Sequence, residues 1–146
     1  MITSKQPIII LLVEDSPDDV FFFRRAAGKS GISCETHVAV DGVEAMDYLL
    51  HKGRFADVAA YPPPGIIFLD LKLPHVNGFE VLEWMRREAE CAPAPVVVLT
   101  SSSQPEDQQR AEALGAALFL TKPPAPDQIR HALQTSGLVE NSSTSL

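Results

Sequence analysis

The stretch IIILLVEDSP, from Ile8 to Pro17, decides the fold of this chain. It opens with six apolar residues in an uninterrupted run, which is typical of a strand buried on both faces of a parallel sheet. Ser16 is suited to cap a helix and Pro17 to occupy its first turn, so the pattern predicts a helix directly after the strand. Glu14 and Asp15 stand between the two elements, which places two carboxylates at the carboxyl end of the strand.

The same strand–helix order recurs along the chain. Strands are predicted at residues 8–13, 34–40, 66–69, 96–99 and 117–121, and helices at about 17–27, from about 42, and at about 78–88, 105–115 and 126–134. This alternation predicts an α/β fold in three layers, in which helices cover both faces of a parallel sheet. We expect a single domain over residues 1–146, with its core at about 7–135, a structural insertion at about 51–64 and a polar, frayed tail at about 136–146.

The composition limits the classes of protein to which this chain can belong. With 146 residues, of which 45% are hydrophobic and 21% charged, it suits one folded domain. A net charge of −7 argues against binding to nucleic acid, which needs a basic face. The longest apolar run is far shorter than the ~20 residues of a membrane span, and the N-terminus lacks the layout of a signal peptide. Cys34 and Cys91 are too few for a disulfide framework, so we expect a cytoplasmic protein with reduced thiols and no membrane partner.

Polar groups also follow three other predicted strands at the points where they end. Asp70, Thr100 and Lys122 come directly after the third, fourth and fifth strands. In parallel α/β sheets, ligands bind in the crevice outside the carboxyl ends of the strands. We therefore expect these side chains to converge with Glu14 and Asp15 on one pocket.

The residue types of this pocket favour phosphoryl transfer. A carboxylate such as that of Asp70 can act as a nucleophile and form an aspartyl-phosphate. Clustered carboxylates raise one another's pKa unless a cation neutralises them, and Mg²⁺ prefers oxygen ligands, so we expect Asp15 to bind it directly and Glu14 through water. Lys122 can pair with Asp70 at rest and with a phosphoryl oxygen after transfer. A cis Lys122–Pro123 bond would aim the ammonium into the crevice.

Each of these residues also has an ordinary structural interpretation. Asp70 alone could cap the following loop, Lys122 could be a surface lysine, and Thr100 could precede a helix. Phe119, inside the fifth strand, is by its type a core residue. The combination of groups, rather than any one of them, favours the pocket.

Five short motifs in order resemble the receiver domain of two-component response regulators. They are LVEDS at 12–16, LDLKLP at 69–74, NG at 77–78, LTS at 99–101 and TKP at 121–123. The resemblance covers about residues 7–135. It implies the flavodoxin-like (βα)5 fold, with a parallel sheet in the strand order 2-1-3-4-5.

The resemblance implies a role for each acidic residue of the pocket. Asp70 would accept a phosphoryl group from a phosphohistidine of a sensor histidine kinase. Glu14, Asp15 and Asp70 would hold Mg²⁺ together with the backbone carbonyl of Lys72. The chain would take part in its own phosphorylation and dephosphorylation without being an enzyme that acts on separate substrates.

The resemblance further implies a switch and a set of partners. Thr100 and Lys122 would contact the phosphoryl oxygens, and Phe119 would turn inward on activation. The face formed by the fourth helix, fifth strand and fifth helix would then change its affinity for an unknown downstream protein, because no output domain is expected to be fused. The segment PPGIIFLDL at 63–71 is similar to single-domain regulators that accompany bacterial phytochrome kinases, which suggests a phytochrome-type kinase and a homodimer formed through that face.

Three other readings of the same pocket stay open at the level of sequence. An aspartate-nucleophile phosphatase would normally carry a second Asp two residues after Asp70, where this chain has Lys72. A degenerate interaction module would have less reason to keep the acidic cluster, Thr100 and Lys122. A flavin or nucleotide binder would need a glycine-rich loop after the first strand, where this chain is acidic.

Overall fold

The computed structural model of the chain describes residues 6–88 and 94–138. Its strands are β1 (Ile8–Val13), β2 (Cys34–Ala39), β3 (Ile66–Leu69), β4 (Val96–Thr100) and β5 (Leu118–Thr121). Its helices are α1 (Pro17–Gly28), α2 (Gly42–Leu50), α3 (Gly78–Arg87), α4 (Pro105–Ala113) and α5 (Pro126–Thr135), with a 3₁₀ turn at Gly53–Phe55. The strands form one parallel sheet in the order β2-β1-β3-β4-β5. The predicted flavodoxin-like fold and strand order are confirmed.

The helices begin where the sequence provides caps. The hydroxyl of Ser16 accepts a hydrogen bond from the N–H of Asp19 at 3.3 Å, with Pro17 in the first turn of α1. Asn77 and Glu80 form a reciprocal capping box at the start of α3. Because α1 and α3 follow β1 and β3 closely, their first turns lie at the carboxyl edge of the sheet.

The two faces of the sheet carry separate apolar cores, since successive side chains of a strand point to opposite faces. The strand residues on the side of α2, α3 and α4 are Leu11, Val13, Ile67, Leu69, Val96 and Val98, and those on the side of α1 and α5 are Ile10, Leu12, Ile66, Phe68, Val97 and Leu99. Burial on both faces explains why β1, β3 and β4 up to Leu99 are continuously apolar rather than alternating. No described helix has the length and apolar character that a membrane crossing requires.

Three predicted strand boundaries were wrong by one residue. Thr100 is the last residue of β4 rather than the first after it, because it pairs with Thr121 and its carbonyl accepts the N–H of Lys122 at 2.8 Å. Val40 lies just outside β2, and Ala117 just outside β5. These ends depend on which residues face a neighbouring strand, which the apolar pattern does not record.

The segment between α2 and β3 packs onto the core rather than standing apart from it. Phe55 is 1% exposed, and its ring centroid lies 5.0 Å from those of both Tyr48 and Tyr61. The hydroxyl of Tyr48 donates to the carbonyl of Pro62 at 2.8 Å. The insertion therefore extends the core on the side of α2.

Only part of the predicted tail can be described. Ser136, Gly137 and Leu138 continue the hydrogen bonding of α5, and Leu138 packs against the core on the α1–α5 side. The remaining positions of the tail, 139–146, lie outside the described residues, as does Cys91.

Candidate functional site

Three carboxylates meet at the carboxyl ends of β1 and β3. Glu14, Asp15 and Asp70 each offer an oxygen, and these three oxygens all lie within 4.8 Å of one another. Glu14 is 2% and Asp70 5% exposed, whereas Asp15 is exposed to solvent. Carboxylates this close repel one another unless a cation neutralises them. The exposed side chain of Asp15 lies on the solvent side of this group.

The ammonium of Lys122 lies inside the same group of acids. Its Nζ is 2.5 Å from Glu14 Oε1, 2.8 Å from Asp19 Oδ2 and 3.1 Å from Asp70 Oδ2. The Lys122 side chain is only 12% exposed, and the Lys122–Pro123 peptide bond is cis. The residue that follows β5 therefore places one positive charge between the carboxylates at the ends of β1 and β3.

The electrostatics of the cluster keep Lys122 charged. Burial alone would lower the pKa of Lys122. Hydrogen bonds to Asp19 and Glu14 and the charge of Asp70 have a larger opposite effect, so the pKa lies above its ordinary value. Burial raises the pKa of the Glu14 carboxyl, and the nearby charge of Asp70 adds to the rise, against the opposing effect of Lys122. Three carboxylates contact this one ammonium and a fourth, Asp15, lies beside two of them, so the acidic groups outnumber the cation and the site can attract a second one.

The donor set of this site fits a hard divalent cation. Mg²⁺ binds carboxylate and carbonyl oxygens and keeps several of its water ligands. A site with only one or two direct carboxylate ligands and an exposed side leaves room for those waters. Glu14, Asp15 and Asp70 supply such oxygens within 4.8 Å of one another. The residues present thus suit Mg²⁺ better than a soft metal, which would need thiolate or imidazole ligands.

The Asp70 carboxylate is held from two sides. Its Oδ1 accepts the N–H of Lys72 at 3.1 Å, and its Oδ2 accepts a hydrogen from Lys122 at 3.1 Å. Its own N–H donates to the carbonyl of Val13 at 3.1 Å, which ties the end of β3 to the end of β1. The side chain is therefore fixed at a buried strand end, beside the exposed Asp15.

Thr100 and Phe119, two other residues predicted to belong to the site, lie in β4 and β5. Thr100 is fully buried, and its hydroxyl accepts the N–H of Ser102 at 3.2 Å. Its carbonyl is bonded to the N–H of Lys122, so the two residues are joined through the backbone. Phe119 is half-buried in β5 and packs against the core on the side of α2, α3 and α4.

Asp19 is the site residue that sequence reasoning missed. It stands in the first turn of α1, where an acidic residue is readily explained by the helix dipole. The available signal was its position: α1 follows β1 directly, so its first turn has to lie at the carboxyl edge of the sheet. An acidic residue in that turn lies close to the polar side chains at the ends of the other strands, and here it contacts Lys122.

Comparison with known protein families and sequences agrees with this arrangement. The family model of the response regulator receiver domain matches residues 10–134. The probable methanogenesis regulatory protein FilR2 of Methanothrix harundinacea is 33% identical over 135 residues, which cover 92% of this chain and 84% of FilR2. Response regulator Rcp1 of Synechocystis is 36% identical over 119 residues, covering 82% of this chain and 79% of Rcp1.

Comparison with solved structures finds the same fold. The bacteriophytochrome response regulator AtBRR is 37% identical, with a TM-score of 0.79 over 94% of this chain and 97% of AtBRR. The Mn²⁺-bound form of Rcp1 is 31% identical, with a TM-score of 0.75 over 92% of this chain and 97% of that one. Both neighbours match nearly the whole of the described fold.

Proposed function

This chain belongs to the response regulator receiver domain family, and we propose that it is the phosphoacceptor of a two-component system in which Asp70 carries the phosphoryl group. Receiver domains are phosphorylated by histidine kinases. The observation that carries the assignment is the setting of Asp70: a buried carboxylate, 5% exposed, between the ammonium of Lys122 and two further acids. The arrangement suits a nucleophile whose own charge is balanced by a neighbouring ammonium.

The chemistry is a direct displacement at phosphorus. A carboxylate oxygen of Asp70 forms a bond to phosphorus, and the bond from phosphorus to the imidazole nitrogen of the kinase's phosphohistidine breaks, its electron pair leaving with the imidazole. Lys122 balances the negative charge that the phosphoryl group brings into the site. Mg²⁺, held by Glu14, Asp15 and Asp70 with the backbone carbonyl of Lys72, would neutralise the phosphoryl oxygens.

Two further residues would convert this local charge change into a signal. Thr100 would release the N–H of Ser102 and turn its hydroxyl to a phosphoryl oxygen. Phe119 would then pack further inward, which alters the face formed by α4, β5 and α5. Such a change moves a two-state equilibrium only as far as the phosphoryl group binds one state better than the other.

The comparisons support a particular kind of partner. AtBRR is a bacteriophytochrome response regulator, and a further structural neighbour at 30% identity is the phosphorylated cyanobacterial phytochrome response regulator RcpA. We infer a phytochrome-type histidine kinase as the phosphoryl donor and a separate, unidentified protein as the receiver of the signal. We also infer a cytoplasmic homodimer formed through the α4–β5–α5 face.

The test is the intact mass of the protein after incubation with acetyl phosphate and Mg²⁺. We expect a gain of one phosphoryl group by the wild type, and none by Asp70→Asn or with EDTA present. Asp57→Asn, an exposed acid in the insertion, is the matched control and should be labelled like the wild type. Labelling of Asp70→Asn, or a wild type that binds Mg²⁺ yet gains no phosphoryl group from acetyl phosphate or from the phosphorylated kinase, would reject the assignment.

A further inference from the structure

The ammonium of Lys122 is surrounded by three carboxylates. It carries three N–H donors, and Glu14, Asp19 and Asp70 each place an oxygen between 2.5 and 3.1 Å from its nitrogen. Two of its hydrogens are donated to Asp19 and Asp70, and Glu14 lies close enough to accept the third. A phosphoryl oxygen that approaches Lys122 therefore competes with these carboxylates for its hydrogens.

The three carboxylates differ in how easily they can be released. The side chain of Asp19 is 38% exposed, whereas those of Glu14 and Asp70 are 2% and 6% exposed. Water can replace Lys122 as the partner of Asp19, whereas the buried carboxylate of Glu14 would lose its cation without such a replacement. Asp70 differs from both, because its carboxylate becomes an acyl phosphate and loses its negative charge in the reaction. Of the two carboxylates that stay charged throughout, Asp19 is therefore the one whose release is less unfavourable.

We propose that Asp19 is a positioning residue that restrains Lys122 at rest and is exchanged for a phosphoryl oxygen when Asp70 is phosphorylated, an inference that rests on the proposed function. Asp19 competes with the incoming group for one N–H of Lys122, and its charge repels that group. Glu14 still holds the ammonium from the buried side after the exchange. Asp19 thus slows acceptance of the phosphoryl group without being needed to keep Lys122 in place.

The reaction with acetyl phosphate measures this competition directly. A carboxylate oxygen of Asp70 bonds to phosphorus, the bond from phosphorus to the acetate oxygen breaks, and acetate leaves with the electron pair. We expect Asp19→Asn to raise the rate of this step about threefold to fivefold, the effect of releasing one partly exposed charged hydrogen bond. Asp19→Glu, which keeps the carboxylate, should return the rate to near that of the wild type.

Asp18→Asn is the matched control. Asp18 is exposed and lies in the same first turn of α1. Its substitution by Asn therefore removes the same charge from the same end of the helix. We expect a smaller increase that disappears in high salt, because salt screens exposed charges, whereas the increase in Asp19→Asn should persist. Equal rates in the two variants at high salt would overturn the inference while leaving the proposed function intact.

A second measurement does not depend on phosphorylation. Acetylation of lysines by acetic anhydride, followed by peptide mass, reports how freely each ammonium can be approached and deprotonated. We expect Asp19→Asn, but not Asp18→Asn, to raise the modification of Lys122 relative to the exposed Lys29. An unchanged ratio would show that Asp19 does not restrain Lys122, whereas a wild type that gains no phosphoryl group would reject the proposed function and, with it, the exchange.

Discussion

Gly78, the first residue of α3, lies directly against the backbone of Asp70. A Cβ on Gly78 would stand 2.3 Å from the carbonyl oxygen of Asp70 and 2.5 Å from the Cα of Leu71. The N–H of Gly78 donates to the carbonyl of Leu71 at 2.9 Å, which closes the loop that follows β3. The start of α3 thus fixes the backbone on which the acceptor carboxylate is mounted, and only glycine fits there.

Gly78→Ala should therefore destabilise the protein and disturb the site together. The contact is with backbone atoms, which cannot rotate away, so we expect a loss of about 1–3 kcal/mol in the free energy of unfolding, measured with urea, and slower labelling by acetyl phosphate. Gly28→Ala is the control, since nothing lies within 4 Å of a Cβ at that position. If Gly78→Ala is as stable as Gly28→Ala, the close approach is not a constraint.

Lys122→Met should destabilise the protein in the absence of Mg²⁺. The change keeps an unbranched side chain of similar bulk but leaves the buried carboxylates of Glu14 and Asp70 without their cation. We expect a loss of about 3 kcal/mol, the usual consequence of removing one partner of a buried pair, and partial recovery when Mg²⁺ is added. Lys29→Met, at an exposed position, should match the wild type both without and with Mg²⁺. Thermal unfolding with and without Mg²⁺ distinguishes these outcomes.

Mg²⁺ should stabilise the wild type through the acidic cluster. A ligand at a hundred times its Kd adds about 2.7 kcal/mol to the free energy of unfolding. Asp15→Asn should weaken this gain while leaving the metal-free stability almost unchanged, because Asp15 is exposed. A Mg²⁺ titration followed by thermal unfolding measures both quantities. Equal Mg²⁺ effects in Asp15→Asn and the wild type would exclude Asp15 as a ligand.

Tyr48 should make the stability fall at alkaline pH. Burial, with smaller effects of Glu35 and Tyr61, raises the pKa of its phenol from 10.0 to about 12. The unfolded phenol loses its proton near its ordinary pKa, whereas the folded one keeps it, so this contribution is complete below about pH 10 and is lost as the pH rises from there to about 12.

The expected loss from Tyr48 is on the order of 2 kcal/mol. Urea unfolding from about pH 9 to about pH 12 measures this loss. Tyr48→Phe should remove this part of the pH dependence, whereas Tyr61→Phe should keep most of it. A slope that is the same in Tyr48→Phe and the wild type would assign the alkaline loss to other groups.

The sequence predicted the fold because its strongest signals are local. Six successive apolar residues ending at Val13, or four ending at Leu69, identify a buried strand without reference to any other part of the chain. The cap at Ser16 identifies a helix start in the same way. Boundaries that depend on pairing, such as the extension of β4 to Thr100, were missed for the opposite reason.

The residues of the candidate site likewise fall into those that local sequence signals predicted and those that only the structure revealed. The residue types and their places at strand ends predicted that Glu14, Asp15, Asp70 and Lys122 would meet, and the structure brings them together. The proposed roles of Lys72, Thr100, Phe119 and the metal stay predictions until they are measured. Asp19 was not foreseen, since no local pattern links it to a lysine 103 positions later.

The sequence by itself determined which segments are strands and helices, and which polar groups stand at their ends. Only the tertiary structure decided which of those groups share a proton donor, how deeply each is buried, and that Gly78 must touch Asp70. The physical reason is range: apolar runs and caps act between neighbours in the chain, whereas burial and ion pairing arise only when the sheet has brought distant strand ends side by side.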